Sequence, residues 1–152
     1  MKNNSFMRLA LAQAEIAFTK NEDPIGCVIV DRKSQKVIAK AHNKNHALKN
    51  PIYHAEILAI NEACSVKQNK ILDDCDLYVT LEPCLMCFSA ISFTRIKRVY
   101  YGVEDQKFGA FSASKIQNSS NPNYFQNEYY GGFLEERILS LMQKFFQNLR
   151  SR

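Results

Sequence analysis

Leu77-Tyr78-Val79-Thr80, Leu81-Glu82 and Pro83-Cys84-Leu85-Met86-Cys87 follow one another near the middle of the chain. The first four residues are aliphatic, aromatic or β-branched, which is the composition of a strand. Pro83 suits the first turn of a helix, where its missing N–H costs nothing, and Leu85, Ala90, Ile91 and Phe93 continue that helix. A further strand stands at Arg98-Val99-Tyr100-Tyr101, ended by Gly102. A strand followed by a helix and a second strand predicts an α/β fold, with the crossover parallel and right-handed.

Outward from this unit the same alternation continues. Phe6, Leu9, Ala10, Ala14, Ala17 and Phe18 recur at helical spacing from Ser5, taken as the N-cap, to about Lys20, where Asp23-Pro24 breaks the pattern. Ile25 to Val30 is nearly all apolar, as a central strand is, and the polar turn Asp31 to Gln35 leads to a second strand, Lys36 to Ala41, forming a hairpin. A helix from His54 buries Ile57, Leu58, Ile60, Ala63 and Cys64. Residues 103 to 132 read as one long polar loop. Leu134, Ile138, Leu141, Met142, Phe145, Phe146 and Leu149 then form the apolar stripe of a last helix. The expectation is one domain over residues 1–152: a three-layer α/β/α arrangement with a mixed central sheet and helices on both faces.

Composition fits this outline. The chain has 152 residues, 46% hydrophobic and 23% charged, close to the globular average, which excludes disordered, collagen-like and coiled-coil classes. No apolar run approaches the ~18–20 residues that span a bilayer, and Met1-Lys2-Asn3-Asn4-Ser5 opens an amphipathic stretch rather than a signal-peptide core, so a cytoplasmic protein is expected. The net charge of +5 permits a polyanionic partner. Five cysteines cannot all pair within one chain, and closely spaced cysteines in a cytoplasmic protein point to metal or catalysis.

Two segments carry that chemistry: His54-Ala55-Glu56 and Pro83-Cys84-Leu85-Met86-Cys87. Cysteines three apart at a helix start share a face and lie at the positive end of the helix dipole, which favours the thiolate that a metal needs. His54 supplies a third ligand, and no second Cys-x-x-Cys closes a four-cysteine site. Three protein ligands leave the fourth position for water, the pattern of a catalytic zinc. Glu56 is the group placed to move protons. Because residues two apart on a regular helix diverge, His54 is expected at the cap, with non-helical backbone.

His54-Ala55-Glu56 with Pro83-Cys84-Leu85-Met86-Cys87 resembles the zinc-dependent nucleobase deaminases. The longer runs Tyr53 to Ile60 and Leu77 to Cys87 are similar to bacterial tRNA adenosine deaminases. The likeness also covers Asp23-Pro24-Ile25-Gly26, Arg95-Ile96, Gly102 to Lys107, Gly109-Ala110 and Phe145-Phe146. It implies a cytidine-deaminase-like fold, zinc on His54, Cys84 and Cys87, and Glu56 as proton shuttle for hydrolytic conversion of adenosine to inosine. The implied substrate is the wobble position in the anticodon stem-loop of an arginine tRNA, and the implied assembly is a homodimer. Asn43, Ile25, Leu81, Glu82, Asp105 and Phe145 are the residues the resemblance, with the pattern of aromatics, assigns to substrate. Tyr53 and Phe146 are further candidates for stacking.

Between Asp31 and Glu56 no acidic residue occurs, while Arg32, Lys33, Lys36, Lys40, Lys44 and Lys49 do, a basic stretch suited to phosphates. Three alternatives stand beside this outline: a deaminase of free guanine or cytosine, a non-catalytic RNA-binding module, and a structural zinc site whose fourth ligand is Cys64, Cys75, His42 or His46. The sequence departs from the family at Tyr53, Phe88, Phe93-Thr94 and Tyr124-Phe125.

Overall fold

The computed structural model describes residues 2–116 and 125–151. Its elements in chain order are α1 (Lys2–Thr19), β1 (Gly26–Asp31), β2 (Val37–His42), α2 (Ala55–Lys67), β3 (Cys75–Leu81), α3 (Leu85–Thr94), β4 (Arg98–Val103), β5 (Glu128–Tyr130) and α4 (Glu135–Arg150). The strands form one mixed sheet in the order β2-β1-β3-β4-β5. β1 runs antiparallel to both β2 and β3, whereas β3, β4 and β5 are parallel.

Successive strand side chains point to opposite faces, and both faces are covered. On one side Cys27, Ile29, Leu77, Val79 and Val99 pack with Ala55, Ala59 and Ala63 of α2 and with Ile91 of α3. On the other, Val28, Val30, Tyr78 and Tyr100 pack with Met7, Ala10 and Leu11 of α1 and with Ile138 of α4. Two-sided burial is why β1 reads as a nearly continuous apolar run rather than an alternating one. The result is the expected three-layer α/β/α sandwich, with the hairpin β1–β2 and the parallel crossover β3–α3–β4 as read from the sequence.

Four features differ from expectation. α1 begins at Lys2, upstream of Ser5, so Ser5 is inside the helix and not its cap. Pro83 lies just outside α3, whose N-cap is Cys84 with extended backbone. The polar stretch 103–132 contains β5, a three-residue edge strand with mostly exposed side chains, too short and too polar to announce itself. On α4 only part of the apolar stripe is core: Ile138 and Phe145 are buried, whereas Phe146 and Leu149 are exposed. Tyr124 and Arg152 lie outside the described residues. Among those described, no helix is long and apolar enough to cross a membrane.

α1 lies directly on the start of β1. A methyl group at Gly26 would stand 2.0 Å from the Ala10 carbonyl oxygen and 2.5 Å from the Ala14 nitrogen, both backbone atoms that cannot swing aside. The Gly26 N–H meanwhile donates to Thr80 Oγ1 on β3, fixing the strand that leads into the cavity described below. Gly26→Ala is therefore expected to cost about 3 kcal/mol, the upper end of ordinary overpacking. Urea unfolding checks this by a lowered midpoint with an unchanged m-value.

Candidate active site

α2 and α3 start at the same end of the sheet, and their first residues meet. His54 is the N-cap of α2, with φ −72° and ψ 155°, and Cys84 is the N-cap of α3, with φ −71° and ψ 172°. Extended backbone at both caps turns the side chains toward each other, which is the non-helical geometry expected for His54. The His54 Nδ1 lies 3.6 Å from the sulfur of Cys84 and 3.6 Å from that of Cys87. Tetrahedral zinc, with Zn–S of about 2.3 Å and Zn–N of about 2.0–2.1 Å, requires sulfur–nitrogen separations of about 3.6 Å. Both separations therefore fit zinc, and all three donor atoms lie within 4.8 Å of one another. Among the described residues no fourth histidine, cysteine or carboxylate joins the set, so Cys64, Cys75, His42 and His46 do not close it.

Electrostatics follow from this crowding. The Cys84 thiol is lowered to about 4 by its hydrogen bond with Cys87 and by His54, while Cys87 is raised by Cys84 and by burial. His54 is raised by its hydrogen bond to Cys84. Glu56, two residues into α2 from the cap and 4% exposed, is pushed up to about 7 by burial. A carboxyl held near neutrality can both accept and return a proton at physiological pH.

These side chains open on a cavity of about 1030 Å³. It lies at the carboxyl ends of β3 and β4, where open α/β sheets bind ligands. Ile25, Asn43, Leu81, Glu82 and Asp105 all line it. Asn43 spends its Oδ1 on the Ala55 N–H at 2.7 Å, leaving its amide Nδ2 to donate.

Three sequence expectations change. Phe145 is absent from the cavity wall: it is 5% exposed and packs edge-on against Phe18, while its neighbour Phe146 lines the cavity with Leu139 and Met142. One helix position rotates a side chain by about 100°, so adjacent phenylalanines on α4 face core and cavity. Tyr53 does not line the cavity either. None of the six cations from Arg32 to Lys49 lines it. Arg32 and Lys33 stand at the opposite end of the sheet beside Asp74, Asp76 and Arg98, and the one lysine among the residues on the cavity wall is Lys107.

Glu22, and the structural part played by the side chain of Glu82, escaped the sequence reading. Glu22 receives the N–H groups of His46 and Ala47 at 3.1 and 2.6 Å. The side chain of Glu82 receives those of Asp105, Phe111 and Ser112 and the Ser112 hydroxyl. Each pins one of the loops that flank the cavity. Their only sequence signal is an acidic residue next to an apolar run, which is as common on surfaces.

A family model described as the cytidine and deoxycytidylate deaminase zinc-binding region matches residues 1–103, a span that includes all three ligands and Glu56. The chain belongs to this deaminase family. A Rickettsia bellii protein named tRNA-specific adenosine deaminase is 49% identical over 144 residues, covering 95% of this chain and 99% of the relative. A solved structure from a study of A-to-I editing by tRNA:A34 deaminases at the wobble position superposes with a TM-score of 0.83 at 40% identity, covering 90% of this chain and 98% of that one. A guanine deaminase from Bacillus subtilis superposes with a TM-score of 0.66 at 30% identity, covering 97% and 93%. The deaminase is thus a zinc-dependent hydrolytic enzyme. Its Cys84→Ala variant is expected to purify with less than about a tenth of the wild-type zinc, since two ligands hold zinc poorly, whereas Cys64→Ala keeps a full complement. Elemental analysis of the purified proteins reads the difference.

Proposed function

We propose that the chain converts adenosine to inosine at the wobble position of a tRNA, acting on the anticodon stem-loop, with arginine tRNA as the substrate implied by the family resemblance. The observation that carries the reading is the meeting of His54, Cys84, Cys87 and the buried Glu56 at one wide cavity. At about 1030 Å³ it stands at the top of the ~300–1,000 Å³ range of small-molecule pockets. A nucleotide extruded from an RNA loop enters with its sugar and phosphates attached, which calls for an open site. The naming of full-length relatives supports the same substrate.

Each residue then has a role. His54, Cys84 and Cys87 would hold zinc, which when bound would supply a Lewis acid that makes water a nucleophile at neutral pH. Glu56 takes one proton from the attacking water and delivers it to the purine ring nitrogen, then takes the second from the hydroxyl added at C6 and passes it to the amino group, which leaves as ammonia as the C6 carbonyl forms. Its raised pKa matches that double duty. The Asn43 amide donates to the base, Ile25 and Leu81 frame it, and Asp105 and Phe146 bound the entrance.

Assembly as a homodimer is part of the proposal. Met86 and Phe93 lie seven residues apart on one face of α3, and Phe93 is 76% exposed, an apolar face that nothing in the chain covers among the described residues. A cytoplasmic location suits five free cysteines.

Purified protein incubated with an anticodon stem-loop bearing wobble adenosine is expected to yield inosine, and free guanine and cytosine to remain unchanged. Consumption of a free base with no inosine in the RNA overturns the assignment. Glu56→Ala is expected to keep its zinc and its fold while turnover falls at least ~100-fold, as removal of a general acid–base group does. Substantial residual turnover would transfer the proton role elsewhere. Phe93→Asp is expected to sediment as a monomer.

A further inference from the structure

We propose that Phe108 is a stacking platform at the cavity mouth for the base of a nucleotide flanking the one deaminated, with Lys107 beside it for the backbone phosphate. The inference rests on the RNA substrate proposed above and names a contact that the sequence alone did not suggest.

Phe108 lines the cavity yet is 62% exposed. A large ring left in water on a loose loop would be unremarkable, but this loop is pinned. Asp105 Oδ1 accepts the N–H groups of both Lys107 and Phe108 at 3.0 Å, and the Gly109 N–H returns to the Asp105 carbonyl at 2.8 Å. Immediately beyond, Phe111 and Ser112 are bonded to the Glu82 carboxylate at 2.9 and 3.0 Å. Gly109 makes this closure possible, because a methyl group there would stand 2.4 Å from Glu82 Oε2. The backbone on both sides of Phe108 is thus fixed to the segment that carries Cys84, and the ring is held outward by construction.

Such a ring loses little freedom when a base settles on it, which is what makes a preorganised contact strong. The Lys107 ammonium sits 5.4 Å from the ring centroid, a cation–π contact that places a positive charge at the platform's edge. A base extruded into the cavity leaves its neighbours unstacked, and an aromatic side chain replaces the lost partner without regard to base identity. Phe145 is buried and Tyr53 is off the wall, which removes two of the three aromatics the sequence nominated for this task.

Binding of the anticodon stem-loop to protein carrying Glu56→Ala, which leaves the RNA intact, tests this by fluorescence anisotropy. Adding Phe108→Ala is expected to weaken binding about tenfold, or ~1.4 kcal/mol, within the range of one base–aromatic stack. Phe108→Tyr keeps the platform and is expected to bind within about twofold of the parent. On RNA made abasic at the flanking position that stacks, Phe108→Ala is expected to change affinity by less than about twofold, because the partner base is already gone. Affinity unchanged on intact RNA overturns the proposal. Equal losses on intact RNA and on RNAs abasic at either flank assign the ring to loop structure and overturn it too, as does a shift from dimer to monomer on sedimentation. Wild-type turnover of RNA unaffected by Phe108→Ala defeats this inference alone, whereas absence of any RNA turnover in the wild type defeats the substrate assignment beneath it.

Discussion

The convergence of two helix N-termini is the constraint on which the site depends. The starts of α2 and α3 both lie where β1 begins and β3 and β4 end, so their unpaired N–H groups and positive dipole ends point into one region. The chain places Cys84 and Cys87 on one helix start and Glu56 on the other; the Cys84 thiol is held low there, whereas Cys87 is raised by Cys84 and by burial, and Glu56 by burial. Extended backbone at His54 and Cys84 then brings side chains from separate elements to 3.6 Å. A shift of either helix by one residue would rotate a ligand away by about 100° and dissolve the set.

Rigid rims follow from a second choice, the burial of two carboxylates. An ionised carboxylate taken out of water is costly unless its oxygens are hydrogen-bonded. Glu22 and Glu82 meet that demand with backbone N–H groups from the loops on either side of the cavity. Loop backbone that is otherwise free to fray is thereby held in one conformation. The residue preceding Pro83-Cys84 organises the loop around Asp105, so metal ligand and cavity wall share a single anchor.

The departures from the family pattern divide by location. Phe88, one of the departures from the resemblance, is buried and packs against Phe111 at 5.5 Å and Tyr129 at 5.7 Å. Phe111 and Tyr129 themselves meet at 4.7 Å. A bulky residue beside Cys87 is accommodated by an aromatic cluster within the fold rather than by displacing the ligands. Phe93, by contrast, stands in solvent, and Phe125 donates its N–H to the Ser92 hydroxyl at 3.0 Å.

Periodicity and local motif determined most of the architecture. Apolar runs placed β1, β3 and β4, helical spacing placed α2 and α4, and the two short motifs named the three ligands and Glu56. Those features are local, because strand and helix periods and ligand spacings are written over a few residues. β5 was illegible because three residues, only the middle one partly buried, carry no period. The choice of Phe146 over Phe145, the departure of Arg32 and Lys33 to the far end of the sheet, and the duties of Glu22, Glu82 and Phe108 were decided only by tertiary structure. Each depends on which distant backbone a side chain meets, and chain position alone holds no record of that meeting.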